Sequence, residues 1–317
     1  MSDVYKEIDS LVGELGKEDT DVLAYFGEID RKGSDRVQSL IKQRTAKSKL
    51  ILMLATRGGS ADAAYVIART LQNAYCRKDN KTDISSSNFT IFVPTYCKSA
   101  GTLLTIGADA LVMAPEAELG PIDVQLRKHD EVGERTSGLN AHQAVRSLST
   151  HVDETFKTLF VRLRFDQQLA FSTKMASEIA CTITTGLFSP IYGQIDPLRL
   201  AETERMLEIS VQYGKRLAQQ NLKGDESLAR LVSGYPSHSF VIDYTEAQGL
   251  FYKVSAPDKR LARLAELFKL IYSRMLENDG SFIFFLDRPA ASDNQPADPK
   301  GDGDDSSVAD PGTNGNT

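Results

Sequence analysis

The stretch Phe89–Asp123, FTIFVPTYCKSAGTLLTIGADALVMAPEAELGPID, decides how the rest of the chain is interpreted. It opens with an apolar, β-prone run that ends at Pro94, which predicts a buried strand. Small residues around Ser99 then lead into the apolar spacing of a helix, and a second strand-like run, Ala110–Ala114, follows. A serine at a strand-to-helix turn exposes its hydroxyl beside the unpaired backbone N–H groups of the helix start. Those N–H groups can hold an oxyanion, although a serine in this position more often only caps the helix.

Length and composition describe an ordinary globular protein. The chain has 317 residues, of which 41% are hydrophobic and 25% charged, enough for one large or two modest domains. The formal charge of -6, with no dominant basic patch, argues against a nucleic-acid-binding protein. Cys76, Cys97 and Cys181 form no CxxC pair, so neither a disulfide framework nor a zinc knuckle is indicated. The N-terminus lacks a signal-peptide pattern and no apolar run could span a bilayer, so we expect a soluble cytoplasmic protein.

A stretch upstream of Ser99 favours a functional role for that serine. The apolar run Lys49–Thr56 lacks alternation, which is typical of a strand covered on both faces by helices. Gly58 and Gly59 follow directly, and two glycines at a strand end let a substrate carbonyl approach a main-chain N–H. Strands that alternate with helices predict an α/β fold with a largely parallel sheet. In such a sheet the Gly-Gly end of one strand and the Ser99 end of the next would meet at one spot.

The helical part of the chain follows this core. The apolar periodicity over 141–180 and the Asp196-Pro197 helix start predict long helices that cover the sheet. The polar segment 125–140 between the two regions is predicted to be a mobile loop or lid. A last β-prone run spans 281–286, after which the composition becomes rich in Asp, Pro and Gly. We therefore predict an N-terminal helix over 1–20, one domain over 21–286 and a disordered acidic tail over 287–317.

Six short motifs carry a family resemblance, at residues 57–64 (RGGSADAA), 98–102 (KSAGT), 108–113 (ADALVM), 119–123, 189–197 and 234–243. The first three resemble the corresponding motifs of Clp-type and signal-peptide-peptidase-A-type serine peptidases. All six together resemble most the serine dehydrogenase proteinase family within that superfamily, over about Asp21 to Val254. The resemblance implies a crotonase-like spiral of ββα units with added helices. It also implies a serine nucleophile and a homo-oligomer, with the long helices contributing to the subunit interface.

Carried over position by position, the resemblance makes Ser99 the nucleophile. It assigns the oxyanion hole to the N–H groups of Gly59 and Ala100, with Gly58 as a further candidate. The general base departs from the family pattern. Where Clp-type peptidases have a histidine after the serine, this chain has Asp123, and where they have an aspartate before a later helix, it has His238. The acid and the base therefore look exchanged along the chain.

The sequence is compatible with two kinds of general base, a histidine or a lysine. His238 could reach Ser99 directly while Asp123 orients the imidazole, since a triad needs the imidazole between the serine and the carboxylate. Alternatively a lysine could serve, as in signal peptide peptidase A. Lys98 is adjacent but is expected to point away from the Ser99 hydroxyl, whereas Lys128 lies in a very polar run and would need desolvation by a partner subunit. Of these, His238 is preferred.

The sequence thus predicts a serine peptidase that hydrolyses a peptide or protein substrate through an acyl-enzyme at Ser99, with no metal or organic cofactor. Whether a separate activator or unfoldase chain feeds the site stays open. One rival interpretation is a crotonase-type acyl-CoA hydratase or isomerase, because the same fold and oxyanion geometry serve thioester enolates. A second is a catalytically silent scaffold that binds a peptide end or a partner.

Overall fold

A computed structural model of the chain describes residues 2–44, 46–75, 88–122, 125–127, 135–166, 168, 171–218, 221–275 and 281–286. Its elements, in chain order, are α1 (Ser2–Lys17), β1 (Thr20–Phe26), α2 (Arg31–Lys42), β2 (Lys49–Ala55), α3 (Ala61–Tyr75), β3 (Phe89–Val93), β4 (Tyr96–Cys97), α4 (Ala100–Ile106), β5 (Ala110–Met113), β6 (Glu118–Leu119), β7 (Gln125–Arg127), β8 (Arg135–Ser137), α5 (Gly138–Phe165), α6 (Thr173–Tyr192), α7 (Pro197–Leu217), α8 (Gly224–Ser233), α9 (Tyr244–Leu250), β9 (Val254–Ser255), α10 (Lys259–Met275) and β10 (Phe282–Phe285).

A six-stranded sheet with the order β10-β1-β2-β3-β5-β9 forms the centre of the molecule. All neighbouring pairs from β1 to β9 are parallel, and only β10 joins antiparallel, at the edge beside β1. β2 and β3 are neighbours, so the strand that leads to Gly-Gly and the strand that leads to Ser99 lie side by side. The predicted α/β fold with a largely parallel sheet is confirmed.

Helices cover both faces of this sheet, which explains why β2 and β3 have no polar alternation. One core cluster contains the inner faces of α2, α3, α4, α8 and α9. The opposite face packs against α1 and α10, where Val12 of α1 and Leu264 of α10 are almost completely buried. β3, β4 and α4 follow one another as a ββα unit, in which the short β4 leaves the main sheet before the helix begins.

Two details differ from the sequence-based expectations. The sequence predicts the first strand over Asp21–Ile29, whereas β1 ends at Phe26, because Gly27 takes a φ of 123° and turns the chain out of the sheet. The segment predicted to be a loop or lid contains the antiparallel strand pair β7–β8 and the start of α5. The predicted tail over 287–317 lies outside the described residues. Within the described ranges, no helix has both the length and the apolar character needed to cross a bilayer.

Asp21, near the amino end of β1, is a fully buried carboxylate. It accepts hydrogen bonds from the Arg44 guanidinium, from the Lys47 backbone N–H at 3.0 Å and from the Tyr75 hydroxyl at 2.7 Å. Removing one charge of a buried pair leaves the other buried and uncompensated. We expect Asp21→Asn to lower the free energy of unfolding by about 3 kcal/mol, measured by urea denaturation.

The matched control is Asp35→Asn, which breaks the exposed Arg31–Asp35 ion pair on α2. Exposed pairs contribute about 0–1 kcal/mol, so this variant should unfold almost as the wild type does. Equal, small losses in both variants would contradict a stabilising role for the buried carboxylate of Asp21.

Candidate active site

A second, small ladder of backbone pairings carries the segments on which the predicted site residues lie. β4 pairs parallel with β6, with Cys97 opposite Leu119. Isolated bridges extend this pair on both sides: Thr56 pairs parallel with Cys97, and Ile242 pairs antiparallel with Leu119. The Lys98 N–H donates to the Thr56 carbonyl at 3.0 Å, and the Ile242 N–H donates to the Leu119 carbonyl at 3.0 Å. Four chain segments therefore run side by side, in the order 56, 97, 119, 242.

The direction of these segments determines which residues meet. The first three are parallel, so the residues that follow them leave the ladder at one edge. The fourth is antiparallel, so at that same edge lie the residues that precede Ile242, among them His238. Neighbouring strands are about 4.8 Å apart, which puts Ile242 roughly 10 Å from Cys97. The ladder thus brings the segments of Gly59, Ser99 and His238 to one edge, while Asp123 and Lys128 lie outside the described residues.

Ser99 adopts a strained backbone conformation at this edge. Its φ of 52° and ψ of -112° are unusual for a residue with a Cβ, and among the other non-glycine residues in the described ranges only Asp19 has a positive φ. Such a conformation costs on the order of 1–3 kcal/mol and persists only where the surrounding structure imposes it. Ser99 stands at the N-cap of α4, yet its side chain makes no capping hydrogen bond. The common structural role of a serine at this position therefore does not account for it.

The backbone of Gly58 packs directly against this serine. A Cβ placed on Gly58 would lie 2.9 Å from the Ser99 Cβ and 3.4 Å from its Oγ. The Gly58 φ of 114° also belongs to the region that favours glycine. Its N–H donates to the Thr56 hydroxyl at 3.0 Å, and its carbonyl accepts from the Ile29 N–H at 2.8 Å. Gly58 thus packs against the Ser99 side chain, and its own N–H is already used by the Thr56 hydroxyl.

Two other N–H groups at this edge have no acceptor among the described residues. The Gly59 N–H donates no hydrogen bond within the described part of the chain, and neither does that of Ala100, the first residue of α4. The backbone at Gly59 is fixed in place, because the Ser60 N–H donates to the Ile29 carbonyl at 2.7 Å and the Ile29 backbone lies directly against Gly59. A Cβ on Gly59 would lie only 2.1 Å from the Ile29 oxygen. The ends of two adjacent strands therefore each present one fixed N–H donor.

The ammonium of Lys98 is held by β6. Its Nζ lies 3.0 Å from the Glu118 carboxylate and donates to the Leu119 carbonyl at 3.2 Å. Its aliphatic part packs against Gly120, where an added Cβ would come within 2.5 Å of the Lys98 Cδ. The Lys98 ammonium is therefore bound to β6, in agreement with the expectation that it points away from the Ser99 hydroxyl.

The segment that carries His238 is fixed by contacts on both sides. Tyr235 stacks on Phe240 with ring centroids 4.9 Å apart, and its hydroxyl donates to Glu246 at 2.6 Å. Burial, and then this hydrogen bond, raise the pKa of Tyr235 far above its usual range. Arg230 adds an ion pair to Glu246 at 2.7 Å. His238 itself is half-buried, and its Nδ1 atom is buried.

Two threonines that the sequence analysis did not identify connect backbone segments at this edge through hydrogen bonds of their hydroxyls. The Thr56 hydroxyl exchanges hydrogen bonds with the N–H and the carbonyl of Gly58. The Thr102 hydroxyl, in the first turn of α4, lies 3.0 Å from the Cys97 carbonyl and 2.6 Å from the Gly120 carbonyl. Both are fully buried. A hydroxyl two residues before Gly58 is the only signal in the sequence for the first, and none exists for the second.

Cys97, two residues before Ser99, is a core side chain. It is fully buried, and burial raises the pKa of its thiol well above the ordinary value. Its sulfur lies against Gly101, where an added Cβ would come within 2.7 Å. A protonated, inaccessible thiol cannot act as a nucleophile.

Part of the chain matches a known protein family. Residues 22–134, which include most of β1, all of β2 to β7 and Ser99, match the family of ClpP-like SDH-type serine proteinases. This match confirms the resemblance drawn from the motifs, and together with the parallel sheet it identifies a Clp-peptidase-type fold.

Two uncharacterized proteins of Methanocaldococcus jannaschii are similar in sequence. One is 23% identical over 205 residues, which cover 60% of this chain and 61% of the relative. The other is 29% identical over 101 residues, 32% of each chain. The similarity thus spans less than two thirds of either relative's length.

Two solved structures are similar over parts of the chain. A mutant of the 1510-N membrane-bound stomatin-specific protease is 18% identical, with 50% of this chain and 68% of that chain covered and a TM-score of 0.29. A ClpP1 mutant from Listeria monocytogenes is 15% identical, with 34% and 58% covered and a TM-score of 0.25.

Proposed function

We propose that this chain, whose residues 22–134 match the ClpP-like SDH-type serine proteinases, hydrolyses peptide bonds through an acyl-enzyme at Ser99. The observation that carries the proposal is the strained turn at Ser99, with a φ of 52° and no capping hydrogen bond. Backbone strain that serves no structural purpose clusters at functional sites. The substrate is a peptide or protein.

The proposed reaction uses groups that meet at the ladder edge. The Ser99 Oγ attacks the scissile carbonyl carbon, and the carbonyl π electrons move to its oxygen. The N–H groups of Gly59 and Ala100 hold this oxyanion, and each such donor is worth about 2.7–4 kcal/mol in the transition state. The general base takes the hydroxyl proton and returns it to the leaving amine, after which water attacks the acyl-enzyme by the reverse path. This chemistry requires no metal or organic cofactor.

His238 is the proposed general base, with Asp123 as its orienting carboxylate. The antiparallel bridge of Ile242 supports this role, since it directs the preceding residues to the edge where Ser99 lies. The contacts of Tyr235 on both sides of the segment also favour a fixed imidazole. Lys128 is the alternative base.

Fluorophosphonate labelling tests the nucleophile and the base together. The wild type should be modified at Ser99, as located by peptide mass spectrometry. In His238→Ala we expect the labelling rate to fall by about 1,000-fold or more, because an unassisted serine hydroxyl is a weak nucleophile. The control is His151→Ala, on the exposed face of α5, which should label at the wild-type rate.

Each other outcome has a defined meaning. Labelling that survives in His238→Ala but is lost in Lys128→Met would transfer the base to the lysine. A folded wild-type protein that takes up no probe would overturn the peptidase proposal and favour the silent scaffold.

The strained turn at Ser99 favours a peptidase over the alternative function of an acyl-CoA hydratase or isomerase. A crotonase-type hydratase or isomerase uses the oxyanion donors but needs no serine nucleophile. Nothing in that chemistry would maintain a strained serine beside Gly58. A homo-oligomer and a separate activator or unfoldase chain belong to the same proposal, and the family match at Ser99 is what supports them.

A further inference from the structure

The segment that carries His238 has an exposed surface without charge. From Leu231 to Ile242 the sequence contains no Asp, Glu, Lys or Arg, yet most of the stretch 233–241 is exposed. Its large apolar side chains on the surface are Phe240 and Val241, with exposed fractions of 37% and 51%. These two side chains are called the Phe240 patch below. Single exposed apolar side chains are ordinary, so the position of the patch is what gives it meaning.

The backbone ladder places the patch on one side of Ser99. Its four segments lie in the order 56, 97, 119, 242, so the segment of Ser99 has that of Gly59 on one side and that of His238 on the other. The patch directly precedes Ile242 and therefore lies, like His238, at the edge where Ser99 leaves the ladder. The patch and the proposed oxyanion donor of Gly59 are thus on opposite sides of the nucleophile.

The chemistry of the proposed reaction assigns the patch side to one half of the substrate. The general base returns its proton to the leaving amine, which belongs to the residue after the scissile bond. The leaving half of the substrate therefore has to pass on the His238 side of Ser99. Ile242 lies roughly 10 Å from Cys97, and an extended chain rises about 3.3 Å per residue. That distance corresponds to the third residue after the scissile bond.

We propose that the Phe240 patch is a subsite that binds an apolar side chain about three residues after the scissile bond and selects substrates by it. This inference rests on the proposed peptidase function and adds a sequence preference of its substrates. The Phe240 ring stacks on Tyr235, with the centroids 4.9 Å apart and an interplanar angle of 29°. The apolar surface is therefore formed before a substrate arrives, which lowers the entropic cost of binding.

The backbone beside the patch suits an extended peptide. Ile242 directs both its N–H and its carbonyl to Leu119. In an antiparallel pairing the peptide groups of the next residue point to the other side, so those of Val241 face away from Leu119. Within the described part of the chain they have no hydrogen-bond partner. One donor and one acceptor beside apolar side chains are the contacts by which a strand edge binds an extended peptide.

The size and the surroundings of the patch favour a single uncharged side chain as its occupant. A standard protein–protein interface buries about 800 Å² on each partner, far more than two half-exposed side chains offer. The nearby charges are already engaged, since Arg230 pairs with Glu246 at 2.7 Å and Asp243 accepts from the Glu246 N–H at 2.8 Å. A charged substrate residue would lose water at the patch without gaining a partner.

The test is the digestion of unfolded casein, with every cleavage site located by mass spectrometry. For the wild type we expect Leu, Ile, Val and Phe to be favoured over Asp and Lys about tenfold or more at the second to fourth residue after the bond, the factor that one apolar contact gives in kcat/KM. In Val241→Asp the preference at that position should change to Lys and Arg, because a carboxylate replaces the apolar contact. Structural damage would lower all cleavage but would not exchange one preference for another.

Val161→Asp is the matched control, because Val161 is 53% exposed on α5 and does not belong to the ladder. It should keep the wild-type preference. A preference that stays apolar in Val241→Asp would overturn the inference. So would a wild type that cleaves casein without regard to the residues after the bond.

Binding to the Ser99→Ala variant separates this inference from the proposed function, because binding needs no nucleophile. On an array of overlapping casein peptides we expect Ser99→Ala to retain apolar sequences and Ser99→Ala/Val241→Asp to retain basic ones. If the wild type cleaves nothing, this pattern would keep the patch as a peptide contact although the peptidase proposal fails. Equal binding of all peptides by both variants would then overturn the subsite as well.

Discussion

Ser99→Ala should abolish peptide hydrolysis and leave the chain folded. Without the hydroxyl no acyl-enzyme can form, and only the oxyanion donors and substrate binding remain. Loss of the nucleophile in a serine peptidase lowers kcat by about a million-fold, so the residual rate should be undetectable. The measurement is the cleavage of an unfolded fluorogenic protein substrate, with circular dichroism to verify the fold. Activity retained in the variant would contradict the assignment of the nucleophile.

Ser99→Gly separates the chemistry from the strain. Glycine accepts the φ of 52° without a steric penalty, whereas alanine retains the strain of a Cβ at this turn. We expect Ser99→Gly to be as inactive as Ser99→Ala but about 1 kcal/mol more stable towards urea. Equal stability of the two variants would mean that the turn stores no strain.

The part of the site that the sequence predicts correctly depends on local patterns. The unalternated run before Gly58 predicts a buried strand, and the run before Pro94 predicts another. Parallel strands with helical connections must place their carboxyl ends at the same edge. The side-by-side position of β2 and β3, and with it the approach of Gly58 to Ser99, follows from those two facts.

The remaining part depends on contacts between residues far apart in the chain. Nothing near Ile242 shows that it pairs with Leu119 in the antiparallel sense, although this bridge directs His238 towards the Ser99 edge. Likewise, apolar periodicity shows that a helix has an apolar face but not what covers it. The pattern through Met175 and Ile179 predicts helices that cover the sheet, whereas α6 packs on α5 and leaves large apolar side chains such as Ile183 and Leu187 exposed.

Gly59→Ala should impair both the reaction and the fold. A Cβ at this position would lie 2.1 Å from the Ile29 oxygen and 2.8 Å from its carbonyl carbon, so the backbone must move. The φ of 142° is also a conformation that alanine rarely adopts. Because the Gly59 N–H is a proposed oxyanion donor, its displacement should lower kcat by about 100- to 1,000-fold. The same clash should lower the free energy of unfolding by about 3 kcal/mol.

The two effects can be separated by kinetics and by a matched glycine. A donor that acts on the oxyanion stabilises the transition state more than the bound substrate, so kcat should fall while KM changes little, at a temperature where the variant is folded. Gly249→Ala, in α9, is the control: no atom lies within 4 Å of its added Cβ, and alanine favours a helix by up to about 1 kcal/mol. That variant should keep the wild-type kcat and stability or gain slightly in stability. A wild-type kcat in folded Gly59→Ala would remove the Gly59 N–H from the oxyanion hole, and Ala100 would then be the only donor left of the two proposed.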